Sequence, residues 1–157
     1  MKLYHIKLLS FLLVVFQTSC KESTDTPPLV FQCKVKLVNK DGSLPLKENK
    51  DKISEITVNL IKPTDNNVQI DNVYFLAYDD CLNIQILDRK ATIKNDGNYE
   101  QEYRLEVQYP EEIRKRKDMI KIIYRFKDYR PSVTEAFYND KKPQYMNTDA
   151  TYFEVEN

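Results

Sequence analysis

Cysteines and carboxylates are the side chains of this sequence that could carry chemistry. The cysteines are Cys20, Cys33 and Cys81, and the one histidine, His5, lies in an apolar N-terminal segment. The remainder of the chain therefore lacks the imidazole base of Ser-His-Asp and Cys-His catalytic centres. It also lacks the commonest zinc ligand. We predict no catalytic residue, no metal site and no cofactor.

Carboxylates alone leave one enzymatic alternative, a glycoside hydrolase, since two acidic residues suffice for that reaction. The adjacent Asp79 and Asp80 follow one dense apolar run and precede another, which predicts a turn. Neither they nor the segment 96–98 (Asp-Gly-Asn) has the spaced series of oxygen ligands of a calcium loop. Because no catalytic partner is visible for them, the sequence favours a protein that is not an enzyme.

The two cysteines in the body of the chain, Cys33 and Cys81, leave two alternatives open. A disulfide between them is one, since an oxidising compartment permits it. Closing this loop of about 48 residues would stabilise the fold by roughly 4 kcal/mol in the chain-entropy model. The other alternative is a pair of separate buried thiols that pack as small apolar groups.

The N-terminus has the pattern of an export signal. Lys2 and Lys7 precede the apolar run 8–16, which only Ser10 interrupts. A transmembrane helix needs about 20 apolar residues, so this run is too short to span a membrane. A basic start followed by a short apolar segment is typical of a secretory signal peptide.

The residues after this run, Thr18-Ser19-Cys20, resemble the end of a bacterial lipoprotein signal, with Gln17 where the usual motif has leucine. Lys21-Glu22 resembles the surface-export signal of Bacteroidota-type lipoproteins. The resemblance covers residues 1 to about 23. It implies a signal peptide over 1–19, a lipidated Cys20, and a lipid anchor in the outer membrane of the cell envelope, with the protein exposed at the surface.

Behind this anchor we expect a short tether and a single domain. Residues 20–28 form the tether, in which Pro27-Pro28 favours an extended path, and residues 29–157 form the domain. Removing residues 1–19 also removes Lys2 and Lys7, which leaves 22 basic and 24 acidic residues. A nucleic-acid-binding domain has a clearly basic face, so this balance predicts no nucleic-acid partner.

Hydrophobic alternation with a period of two dominates the domain. It is clearest over 99–109, where tyrosine, leucine and valine alternate with charged and amide residues. This pattern is typical of a strand with one buried face. Seven to nine such short strands, separated by turn residues, predict an all-β fold. We expect an antiparallel β-sandwich, immunoglobulin-like in the broad sense, with a small β-barrel as the alternative.

The recognition surface is predicted in the segment 138–145, whose candidate residues are Tyr138, Asn139, Asp140 and Tyr145. Tyrosine offers a flat amphipathic surface with few rotamers to lose, which suits a sugar or a protein partner. The basic run 114–117 is interpreted as a solvated loop. The predicted function is a non-catalytic binding, accessory or adhesion module for a glycan or an envelope protein. The alternative is a subunit of an envelope assembly that pairs through a sheet edge.

Overall fold

A computed structural model describes the domain over five ranges of the chain. These are residues 29–64, 66–89, 98–127, 130–147 and 150–157. The sequence predicts a signal peptide, a lipidated Cys20 with its tether, a short strand over 91–94 and a hairpin turn at Asp96-Gly97, and all four lie outside the described residues.

Nine strands make up most of the described residues. They are β1 (Leu29–Val38), β2 (Thr57–Lys62), β3 (Val68–Leu76), β4 (Cys81–Asp88), β5 (Asn98–Gln108), β6 (Lys117–Lys127), β7 (Arg130–Tyr138), β8 (Tyr145–Met146) and β9 (Ala150–Glu156). A short helix, α1 (Pro45–Glu48), and a 3₁₀ segment (Lys50–Glu55) connect β1 to β2.

The strands form two sheets that pack face to face. Sheet A has the order β3-β4-β1-β9-β8, and sheet B has the order β2-β5-β6-β7. The predicted β-sandwich is thus confirmed, and the described residues form two separate sheets with their own edge strands instead of the closed barrel. The antiparallel prediction needs one correction, because β1 and β9 pair in parallel at the centre of sheet A.

The buried face of each sheet follows from the alternation in the sequence. In β1, Phe31, Cys33, Val35 and Leu37 are buried and the residues between them are not. Tyr103, Leu105 and Val107 of β5 and Ile120, Ile122 and Tyr124 of β6 face them from sheet B. Burying these side chains removes about 25 cal/mol of unfavourable hydration per square ångström, so the interface between the two sheets is the main source of stability.

Two turns adopt the backbone that their residues predict. Gly42 has a φ of +84° in the turn after β1, and its N–H donates to the carbonyl of Asn39 over 2.9 Å. Asp80 has a φ of +49° in the turn between β3 and β4. The left-handed region favours glycine but tolerates aspartate, so Asp79 and Asp80 lie in the turn that the sequence indicates.

The disulfide alternative is not realised, since Cys33 and Cys81 are both free and buried. In the register of β1 and β4, Cys33 pairs with Ile84, three residues along β4 from Cys81. That offset is about 10 Å along the strand and places the two side chains on opposite faces of the sheet, whereas bridged Cα atoms lie within about 7 Å. Burial raises the pKa of Cys33 to about 12 and that of Cys81 to about 11.

Candidate functional site

A row of mostly polar and aromatic side chains crosses the outer face of sheet A. The strand registers pair Tyr74 with Asn83, Asn83 with Lys34, Lys34 with Tyr152, and Tyr152 with Tyr145. Paired residues share a face of the sheet, so this row spans all five strands. Asn83 is fully buried within it, and its side-chain amide has no hydrogen-bond partner among the described residues. Asn83 therefore has a donor and an acceptor that no described residue satisfies.

A cleft of about 430 Å³ opens at the β1, β9 and β8 end of this row. We call it the tyrosine cleft. Its side chains include Gln32 and Lys34 from β1, Tyr145 from β8 and Tyr152 from β9, together with Asp79 and Asn147 from the adjoining loops. Tyr145 is 58% exposed, so an aromatic face is open to a ligand while the rest of the cleft supplies hydrogen-bonding groups.

An ion pair forms one wall of the tyrosine cleft. Lys34 Nζ donates to Asp79 Oδ2 over 2.9 Å, and the same ammonium lies 5.6 Å from the centre of the Tyr78 ring. The hydrogen bond to Asp79 raises the pKa of Lys34. Partial burial is the main cause that raises the pKa of Tyr152, and the nearby Glu154 carboxylate raises it further. Lys34 is thus a cation and Tyr152 a neutral hydrogen-bonding phenol at neutral pH.

The structure divides the predicted recognition segment among three places. Tyr145 lines the tyrosine cleft, as a recognition residue would. Tyr138 is fully buried, so its interpretation as an exposed contact is wrong. Its hydroxyl donates to Asp118 Oδ2 over 2.7 Å and lies 3.0 Å from the Tyr109 hydroxyl. Tyr138 therefore belongs to the interior of the sandwich.

Asn139 and Asp140 form a turn after β7, with φ values of +45° and +66°. The Asn139 side chain is already engaged, because its Oδ1 accepts the Met119 backbone N–H over 2.7 Å and its amide donates to Asp118. Asp140 is exposed. Both residues line a second cleft, on the outer face of sheet B, which has a volume of about 610 Å³. They are not part of the tyrosine cleft.

A buried polar cluster lies at the end of the sandwich where β5 leads to β6. Arg114 and Asp118 form an ion pair in which Arg114 Nε lies 2.6 Å from Asp118 Oδ2. Arg114 Nη1 donates to Asn157 Oδ1 over 2.8 Å. The basic run is therefore only partly the solvated loop that the sequence predicts, since Lys115, Arg116 and Lys117 are exposed and Arg114 is buried.

The strand edges bear on the alternative in which the chain pairs with other subunits. The C-terminal strand β9 lies inside sheet A, between β1 and β8. Where β9 continues past its short pairing with β8, Gln144 occupies the edge of β9. The Gln144 side-chain amide donates to the Glu154 carbonyl over 3.0 Å and accepts the Glu154 N–H over 2.5 Å. Gln144 thus makes both hydrogen bonds of a neighbouring strand, which protects this edge from further pairing.

The described residues contain neither a metal-binding group of side chains nor a membrane-spanning helix. No group of three or more His, Cys, Asp or Glu side chains is placed to hold a metal ion in this part of the chain. Within the same ranges, no helix has the length and apolar character needed to cross a membrane.

Comparison with known proteins gives no match: no family model, no curated protein and no solved structure is significantly similar to this chain. The function of this protein must therefore be inferred from the side chains of the site itself. Of the residues that line the tyrosine cleft, the sequence predicts a recognition role for Tyr145 and does not predict one for Lys34, Asp79 or Tyr152. Alternation places Lys34 and Tyr152 on outward faces of their strands, yet the strand order that brings them together is not a local property of the sequence.

Proposed function

We propose that this protein is a lipid-anchored lipoprotein of the cell envelope that binds glycans without catalysing a reaction, and that the tyrosine cleft is its binding site. The observation that carries the proposal is the cross-strand pair Tyr145 and Tyr152 beside the Lys34–Asp79 ion pair. These groups lie on one face of one sheet, where a ligand reaches all of them together.

The chemistry of the cleft suits a sugar. The face of a sugar ring is apolar and its edge carries hydroxyls, and tyrosine likewise combines an apolar ring with a polar tip. Ligand sites typically combine such aromatic walls with a few placed polar groups. Here those groups are the Lys34 ammonium, the Asp79 carboxylate and the side-chain amides of Gln32 and Asn147. Donors and acceptors are both present, as sugar hydroxyls require.

The number of carboxylates supports binding over hydrolysis. Glycoside hydrolysis uses two carboxyl groups about 5–9.5 Å apart across the scissile bond. Asp79 is the one carboxylate among the side chains that line the tyrosine cleft, and it is held by Lys34. Assembly through the C-terminal strand draws less support, because β9 is an interior strand and Gln144 occupies its edge.

Replacing Tyr145 with alanine is expected to weaken glycan binding by about tenfold, because one stacking surface contributes on the order of 1–1.5 kcal/mol. The measurement is a glycan array with the full chain in a mild detergent, followed by titration of the best ligand. Met146→Ala is the matched control, since Met146 is the next residue of β8 and points away from the cleft.

Equal binding by wild type and Tyr145→Ala would remove the tyrosine cleft from the proposal. A chain that retains no glycan but captures one envelope protein in stoichiometric amount would instead establish the assembly alternative.

The anchor is tested separately. Cys20→Ala is expected to release the protein from the membrane fraction, because a lipidated cysteine carries the acyl chains that hold a protein firmly to a bilayer. Fractionation of cells that express wild type or variant measures this, and Cys33→Ala is the control, since Cys33 is buried in the domain. Membrane retention of the Cys20 variant would contradict the lipid anchor.

A further inference from the structure

A second row of side chains crosses the outer face of sheet B. The registers pair Lys62 of β2 with Arg104 of β5, Arg104 with Lys121 of β6, and Lys121 with Phe137 of β7. The adjoining residues Leu105 and Ile120 point into the core, so alternation directs Arg104 and Lys121 outward. Three cations and one aromatic ring thus follow each other across four strands.

Lys121 differs from the other cations near it. Arg104 is paired with Glu102, Lys117 with Glu106 over 2.9 Å, and Arg125 with Glu100 over 2.7 Å. Lys121 forms no ion pair with a carboxylate in the described ranges, and its Nζ lies 5.8 Å from the centre of the Phe137 ring. This ammonium is therefore held over an aromatic face with its charge uncompensated.

Three members of this row, but not Lys62, line the second cleft described above, which we call the basic cleft. Arg104, Lys121 and Phe137 form it together with Met119, Ile120 and the turn residues Asn139 and Asp140. Met119 is partly exposed and adds apolar surface beside the Phe137 ring. The basic cleft thus offers an apolar surface for a ring, the Lys121 ammonium between Arg104 and Phe137, and the Asp140 carboxylate among its lining side chains.

We infer that the basic cleft binds a carboxylated sugar, such as a uronic acid residue of an acidic polysaccharide. The ring packs on Phe137, the sugar carboxylate accepts from Lys121 and from the Arg104 guanidinium, and Asp140 accepts sugar hydroxyls. Charge-assisted hydrogen bonds to a carboxylate are about twice as strong as neutral ones. This site is separate from the tyrosine cleft, which lies on the other sheet.

The charge balance of the basic cleft favours a monoanion. Among the side chains that line the cleft, Arg104 and Lys121 provide two positive charges and Asp140 provides one negative charge. One positive charge remains, which a single carboxylate neutralises. A phosphate dianion would leave excess negative charge next to Asp140, so the arrangement favours a singly charged sugar such as the carboxylated one.

The test uses the full chain in a mild detergent with two ligands that differ only at the carboxyl group, namely oligogalacturonate and its methyl ester. Calorimetric titration is expected to show binding of oligogalacturonate and at least tenfold weaker binding of the ester. Lys121→Gln is expected to weaken oligogalacturonate binding by about tenfold. Phe137→Leu, which removes the ring but keeps apolar volume, is expected to weaken both ligands.

Lys40→Gln is the matched control, since it removes the same charge from an exposed turn on another part of the molecule. The inference is overturned if oligogalacturonate does not bind, if acid and ester bind equally, or if Lys40→Gln weakens binding as much as Lys121→Gln. Tyr145→Ala separates this inference from the proposed function. Loss of oligogalacturonate binding in that variant would assign the ligand to the tyrosine cleft and overturn the basic cleft.

Discussion

Replacing Arg114 with alanine is expected to lower the free energy of unfolding by about 3–5 kcal/mol, because it leaves the buried Asp118 carboxylate without the buried cation that pairs with it. The Arg114 side chain is 3% exposed, its Asp118 partner is fully buried, and the closest nitrogen and oxygen lie 2.6 Å apart. Domains of this size typically have a free energy of unfolding of about 5–15 kcal/mol, so the variant is expected to lose a large share of that stability. Urea denaturation of wild type and variant measures the difference.

The expected loss is large because this ion pair joins three parts of the chain. Asp118 also accepts a hydrogen bond from Tyr138 of β7, and Arg114 donates to Asn157, which follows β9. Asn157 in turn donates to Asn39 over 2.8 Å and to the Ile113 carbonyl over 2.9 Å. Burial raises the pKa of Tyr138, which keeps its hydroxyl a donor. Removing Arg114 thus disturbs the contact between both sheets at this end.

Arg116 provides the matched control, because it pairs with the same carboxylate from outside the core. Its Nε lies 3.3 Å from Asp118 Oδ1, but its side chain is 61% exposed. Exposed ion pairs contribute about 0–1 kcal/mol, so Arg116→Ala is expected to cost less than about 1 kcal/mol. Equal costs for the two alanine variants would contradict the view that burial decides the strength of this cluster.

The same two arginines show what a charge run in a sequence leaves undetermined. Residues 114–117 are four consecutive basic residues, and nothing local distinguishes the first. The loop turns tightly, with the N–H groups of Ile113 and Arg114 both donating to the Pro110 carbonyl over 3.0 Å. This turn directs Arg114 inward to Asp118, whereas Arg116 stays in solvent. The direction of the turn toward Asp118, and not the residue type, decides which of the two arginines is buried.

The alternation in the sequence was sufficient to predict the layered β fold, because period two fixes which residues of a strand share a face. It could not predict which strands are neighbours. The parallel pairing of β1 with β9 joins Gln32 to Ala150 across most of the chain. Local pattern carries no information on such a contact, so the antiparallel expectation failed there.

The interpretation of Tyr138 as exposed is wrong because a β-bulge interrupts the alternation in β7. Strict alternation from Val133 would place Glu135 and Phe137 on its inward face. The ladder pairs Tyr124 with Val133 and Ile123 with Glu135, so Thr134 is an extra residue in β7. A β-bulge of this kind moves every later side chain to the other face. Ala136 and Tyr138 therefore enter the core, while Phe137 becomes available to the basic cleft.

Replacing Phe31 with alanine is the second large effect, with an expected loss of about 3–5 kcal/mol in the free energy of unfolding. Phe31 is 2% exposed at the centre of the sandwich, and its ring lies 5.3 Å from the Tyr103 ring of the opposite sheet. Truncation removes buried apolar surface and leaves a cavity that rigid strands on both sides do not fill. Urea denaturation with an unchanged m-value measures this loss.

Val30 is the control, since it precedes Phe31 in β1 and points to the outer face of sheet A. It is 38% exposed, so Val30→Ala is expected to cost less than about 1 kcal/mol. The pair tests the assignment of faces directly, because a shift of β1 by one residue would exchange the two positions. A larger loss from Val30→Ala than from Phe31→Ala would mean that β1 faces the other way. The row from Tyr74 to Tyr145, and with it the tyrosine cleft, would then be wrong.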